Sequence, residues 1–154
     1  MKKGFTLVEV LLVMGIISIL AALGSVNYFS SFNQTSVGTF EDIMISDLRS
    51  AQSKAMSSQG ASGAITTGWG VKFLGSSYVV FPGSTYTAGS SNNYVVSAPT
   101  GLTISTSFPS SQVLFNHSSG EVISYDSASD RITLNAGSSS KTIELNQYGV
   151  VTSQ

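Results

Sequence analysis

Residues 10–40 contain no charged side chain, and the acid just before them, Glu9, stands alone in a segment otherwise suited to leave water. Residues 10–26 are largely apolar, and with their flanks they approach the roughly 20 residues needed to cross hydrocarbon. A helix that is apolar on every side is stable only when lipid or other helices surround it. A lone acid in such a helix costs about 2.5–3.5 kcal/mol at the centre of a membrane segment, and less near an end. A buried carboxylate tolerates a low dielectric only when it is paired or hydrogen-bonded. Two ordinary readings leave Glu9 unexplained. One is a secretory signal cut among the small residues 21–25; the other is a plain single-pass anchor, which would gain by losing the acid.

The run Lys3-Gly4-Phe5-Thr6-Leu7-Val8-Glu9 resembles the type IV prepilin signature shared by pilins and type II secretion pseudopilins. The resemblance implies a leader, residues 1–4, removed by a prepilin peptidase between Gly4 and Phe5, and N-methylation of Phe5. The apolar helix then stays on the protein as anchor and assembly surface. Glu9 would pair with the terminal amine of a neighbouring pilin or pseudopilin subunit in a helical filament. The expected location is the cytoplasmic (inner) membrane, single-pass and in contact with lipid and an assembly platform. The globular part would lie outside the cytoplasm, in a periplasmic pseudopilus or an extracellular pilus. Lys2 and Lys3 would remain cytoplasmic, in keeping with the positive-inside tendency. Family helices often carry a proline where this chain has Val26, leaving Gly15 and Gly24 as the soft points.

After residue 28 the apolar positions thin to a helical spacing: Phe29, Phe32, Val37, Phe40, Met44, Leu48, Ala51, Ala55. Steps of three and four mark one face of an amphipathic helix. The reading is one helix over 5–57, with an assembly half (5–28), a looser junction at 33–36, and an amphipathic half (29–57) that packs on a sheet. From residue 58 to 154 the pattern changes to short β-prone runs punctuated by Gly, Ser, Asn and Pro. Strands are expected at 71–74, 78–81, 94–97, 102–105, 112–115, 121–125, 131–135, 141–146 and 149–152, with a hairpin turn at Gly75-Ser76. Alternation in 131–135 and 142–146 calls for one buried face. The fold class is therefore α+β, a long N-terminal helix covering an antiparallel, sandwich-like β domain. The order Val113-Leu114-Phe115, Gly120-Glu121-Val122, 141–145 and Gly149-Val150-Val151 is similar to the GspH/FimT type of minor pseudopilin domain.

Composition argues against chemistry. Charged residues are only 10% of the chain, and there is no cysteine, so neither a disulfide nor thiol catalysis is available. Removing Lys2 and Lys3 from the seven basic residues leaves five against eight acids. His117, the single histidine, lacks the positioned nucleophile and acid of a catalytic set, and reads as a turn residue. Asp126 and Asp130 are weak candidates for a hard cation, which wants 6–8 oxygens; a solvated turn is the plainer reading. Gly68-Trp69-Gly70 lacks the helix and lysine of a phosphate cradle, so Trp69 is expected in the core. Tyr78, Tyr86 and Tyr94 are read as packing residues rather than a stacking surface. Beyond the helix only Lys72, Arg131 and Lys141 are basic, too few and too scattered to neutralise phosphates, so nucleic acid is not an expected partner. No cofactor and no enzymatic activity are expected. The rival from another class is a secreted or membrane-anchored β-sandwich adhesin or binding module, cut near Gly24-Ser25.

Overall fold

A computed structural model describes residues 4, 6–57 and 67–153, with residues 24–33 described through their backbone alone. Helix α1 occupies Leu7–Met56 and runs unbroken through residues 33–36. No proline interrupts it, and Ser57 closes its C-terminus, Ser57 N–H donating to Ser53 O at 3.0 Å. The eight strands are β1 (Gly68–Phe73), β2 (Ser77–Pro82), β3 (Tyr94–Ser97), β4 (Leu102–Thr106), β5 (Gln112–Asn116), β6 (Arg131–Ala136), β7 (Ser139–Leu145) and β8 (Val151–Ser153). They form two four-stranded antiparallel sheets, ordered β3-β2-β1-β5 and β4-β6-β7-β8.

The C-terminal half of α1 lies across both sheets, against β1 and β5 of the first and β6 and β7 of the second. Its buried face is Val37, Phe40, Met44, Leu48, Ala51 and Ala55, the spacing that places residues on one side of a 3.6-residue turn. Opposite stand Val71, Tyr78, Val113 and Phe115 from the first sheet, and Ile132, Leu134, Ile143 and Leu145 from the second. Each large apolar side chain taken fully from water contributes about 1.5–3 kcal/mol. Helix and sheets therefore stabilise each other; neither buries its apolar face alone.

Polar helix residues flank the stripe and fasten the domain. Asp47 Oδ2 accepts from Tyr78 Oη at 2.6 Å. Gln52 Nε2 donates to Gly120 O at 2.9 Å and to Tyr148 O at 2.7 Å, tying two loops to the helix. Lys54 Nζ lies 4.7 Å from the centroid of the Trp69 ring. Glu41 is buried, 3.8 Å from Lys141 Nζ on β7. At Gly70 in β1, an added Cβ would sit 2.5 Å from Phe81 Cζ and 2.6 Å from Leu114 Cδ2, so only glycine lets those side chains close over the strand.

One expected strand is corrected. Residues 121–125 are not a strand: Val122 makes a single bridge to Phe115, and Ser124 turns the chain with φ +57. This segment carries the chain from β5 in the first sheet to β6 in the second, so it cannot continue as a ladder in either. The turn at 126–130 accordingly does not join two paired strands; β6 pairs with β4 and β7. The loop expected at 136–140 is also tighter, since Ala136 pairs with Ser139 and leaves a two-residue turn with Gly137 at φ +59.

Candidate functional site

The N-terminus holds the residues with the clearest chemical signal. Thr6 is the N-cap, with extended backbone (φ −84, ψ 152) and Oγ1 accepting from Glu9 N–H at 3.3 Å. Thr6 O accepts the amides of Glu9 and Val10 at 3.1 and 3.3 Å. A hydroxyl there satisfies amides that would otherwise be orphaned in the first turn. The sequence signal for this start is Thr-x-x-Glu, the capping-box spacing, and it marks Thr6 as a structural partner of Glu9.

Glu9 therefore sits in the first helical turn, where the aligned peptide dipoles favour negative charge. It is solvent-exposed, and the ion pairs among the described residues involve Glu41, Asp130 and Glu144 rather than Glu9. Gly4 is exposed too, and a Cβ added there would meet nothing within 4 Å. Packing among the described residues does not require glycine at that position. Phe5, and residues 1–3 of the expected leader, lie outside the described residues.

Glu9 aside, the helix from residue 7 to residue 23 is largely apolar and exposed on every side, with Leu7 at 77% and Leu23 at 67% exposure. Its one described polar hydroxyl in mid-run, Ser18 Oγ, donates to Met14 O at 2.8 Å and so is satisfied within the helix. Among the described residues no helix is long and apolar enough to cross a membrane. The described apolar side chains run from residue 7 to residue 23, 17 residues. At 1.5 Å per residue that is about 26 Å, short of the roughly 30 Å of a hydrocarbon core. Residues 24–28 of the expected assembly half lie outside the described side chains.

The other candidates are scattered. Asp126 Oδ1 accepts from Ala128 N–H at 3.0 Å within its own turn, while Asp130 lies 3.6 Å from Arg131 Nε. Among the described residues no group of three or more metal-ligating side chains converges. His117 is half-buried in the turn after β5, and Trp69 is buried in β1. Tyr78 is buried against Phe40, ring centroids 5.8 Å apart. Burial, and then its bond to Asp47, pushes the Tyr78 hydroxyl far above the ordinary tyrosine range. Tyr86 packs edge-on against Phe81 at 5.5 Å on the other face of the sheet from Tyr78, and Tyr94 is exposed where Tyr78 is buried, so the three tyrosines do not form one stacking surface. An open apolar cavity of about 250 Å³ lies between α1 and the β3–β4 loop, lined by Thr35, Ser36, Thr39, Phe40, Ile43 and Pro99. It holds no titratable group.

Residues 1–25 match the family described as the prokaryotic N-terminal methylation motif. The capped start of α1 and the exposed apolar run that follows it lie within that matched segment. The whole fold is similar to the crystal structure of the type IV minor pilin FimU of Pseudomonas aeruginosa (strain PAO1). The TM-score is 0.53 at 12% identity, over 81% of this chain and 90% of that one. The α+β architecture, helix on antiparallel sheets, is thus a type IV pilin fold. No curated protein sequence matches the chain.

Proposed function

We propose that this protein is a structural subunit of a type IV pilus or a type II secretion pseudopilus, of the GspH/FimT type. A prepilin peptidase cleaves after Gly4, and Phe5 becomes the methylated N-terminus. The helix anchors the subunit in the cytoplasmic membrane until it enters a filament through the assembly platform. The observation that carries this reading is the exposed Glu9, in no ion pair among the described residues, in the capped first turn of a helix whose residues 7–23 are otherwise largely apolar and exposed all round. Water is the wrong solvent for such a surface; neighbouring helices cover it, and the ammonium of a neighbour's processed terminus neutralises Glu9. Gly4 supports the same reading, since packing among the described residues does not require glycine there and an external reader does.

N-terminal sequencing of mature protein tests the processing step: Phe5 is expected as the first residue, and a start near Ser25 refutes it. Glu9→Ala is expected to insert in the membrane yet fail to enter filaments. Normal incorporation of that variant removes the electrostatic basis of the proposal.

A further inference from the structure

Four edges end the two sheets, and the chain itself covers two of them. Segment 121–123 closes the outer side of β5, Asn116 N–H donating to Glu121 O and Ile123 N–H to Leu114 O, both at 2.8 Å. On β4, the outward Ile104 N–H donates to Gly75 O at 2.7 Å. The edges of β3 and β8 differ. Ala98 N–H donates to Ser76 O at 2.9 Å, so with the β2–β3 register residues 94 and 96 turn their backbone groups toward β2, and Val95 and Ser97 turn theirs outward. Asn146 N–H donates to Val150 O at 3.1 Å, and the β7–β8 register then points Val151 and Ser153 outward. Among the described residues no hydrogen bond engages those four outward backbones.

Soluble proteins blunt bare edges with lysine, proline or bulges. Here neither edge carries a charge: residues 73–120 and 145–154 contain no Asp, Glu, Lys or Arg. The side chains agree with the backbone. Among the described residues of the globular part the four most exposed large apolar side chains are Tyr148 (64%), Tyr94 (60%), Val95 (57%) and Val150 (57%). Tyr94 and Val95 lie on β3 itself, while Tyr148 and Val150 lie in the turn that leads into β8.

We infer that β3 of one copy pairs with β8 of a second copy, joining the first sheet of one subunit to the second sheet of the next. The two edges match in outward pattern, a β-branched residue and a serine on each, and in their lack of charge. A contact between two different edges is heterologous and repeats from copy to copy, as a filament requires. The paired strands are only three and four residues long. The contact therefore forms between copies already held side by side by their helices, where effective concentration is high. To that extent it rests on the proposed function.

The chain has no cysteine, so engineered thiols report directly. Full-length copies carrying Val95→Cys are co-produced with differently tagged copies carrying Val151→Cys or Ser153→Cys, in membranes containing the peptidase and assembly machinery, and then oxidised. Facing hydrogen-bonded residues lie about 5.5 Å apart at Cα, within disulfide reach. A mixed disulfide at least tenfold above Val95→Cys self-dimers is expected. Val95→Lys, added to the copy carrying Ser97→Cys, should lower the corresponding 97-to-151 or 97-to-153 yield at least fivefold without changing the melting temperature. Leu12→Cys reports helix contact independently. Helix cross-links without the mixed disulfide, or Val95→Cys self-dimers in excess, overturn the strand pairing while leaving the filament reading intact. Loss of both kinds of cross-link overturns both.

Discussion

Gly149 and Gln52 should be strongly coupled, and the size of the coupling follows from the geometry. Gly149 adopts φ +73, and a Cβ added there would lie 2.3 Å from Gln52 Nε2. Gly149→Ala therefore meets two penalties. The left-handed backbone costs an alanine about 1–2 kcal/mol. The Gln52 amide must also swing away, giving up its bonds to Gly120 O and Tyr148 O, at about 0.5–1.5 kcal/mol each. The single substitution is expected to destabilise by about 2–5 kcal/mol, and Gln52→Ala, which loses only the bonds, by about 1–3 kcal/mol. In the double variant the obstacle is gone and the bonds are lost once, so the total should stay near that of Gly149→Ala alone. The shortfall from additivity, about 1–3 kcal/mol, is the predicted coupling. Trp69 is the only tryptophan and is buried, so its fluorescence during urea unfolding of the detergent-solubilised chain follows the domain. Additive single effects within about 0.5 kcal/mol would show that Gln52 does not hold the Gly149 loop as described.

Leu48→Ala, at a fully buried position, should cost about 2–5 kcal/mol in the same urea titration, whereas Leu12→Ala, at 60% exposure, should leave the midpoint unmoved and show its effect only in assembly. Gly70→Ala forces a methyl against Phe81 and Leu114 and should destabilise by about 1–3 kcal/mol as an overpacked site, measured by thermal melting. Tyr78 keeps its proton in the folded state to well above the ordinary value of 10.0. The folded state therefore binds that proton more tightly than the unfolded chain does, and stability is fully present below pH 10 and falls as pH rises beyond it. Tyr78→Phe should lower stability near neutral pH and flatten that alkaline decline; an unchanged slope between pH 10 and 11.5 would count against the burial of the Tyr78 hydroxyl and its bond to Asp47.

The helix was legible because its signals are local. Residues 10–26 form an uncharged, largely apolar run, and Val37 through Ala55 repeat every three or four residues; both patterns are read from neighbours along a single chain. Most strands were legible for the same reason, since alternation in 131–135 and 142–146 reflects one wet and one dry face. Residues 121–125 misled because Val122 and Tyr125 look like strand residues while the segment is a crossover between sheets, and no local pattern reports which sheet a chain is leaving.

Sequence alone determined that the chain opens on a long helix, apolar through residues 10–26 with one acid just before them and amphipathic after residue 28, because charge, its absence, and helical period are properties of neighbours along the chain. The division of eight strands between two sheets, the burial of Glu41 beside Lys141, and the Gln52 clamp on two distant loops were decided only in the tertiary structure. Each depends on residues dozens of positions apart meeting across the helix, where packing rather than propensity chooses the partner. The bare edges of β3 and β8 belong to the same class: a strand reads alike whether its outer side is covered or open, and only the arrangement of the other strands leaves these two without a neighbour among the described residues.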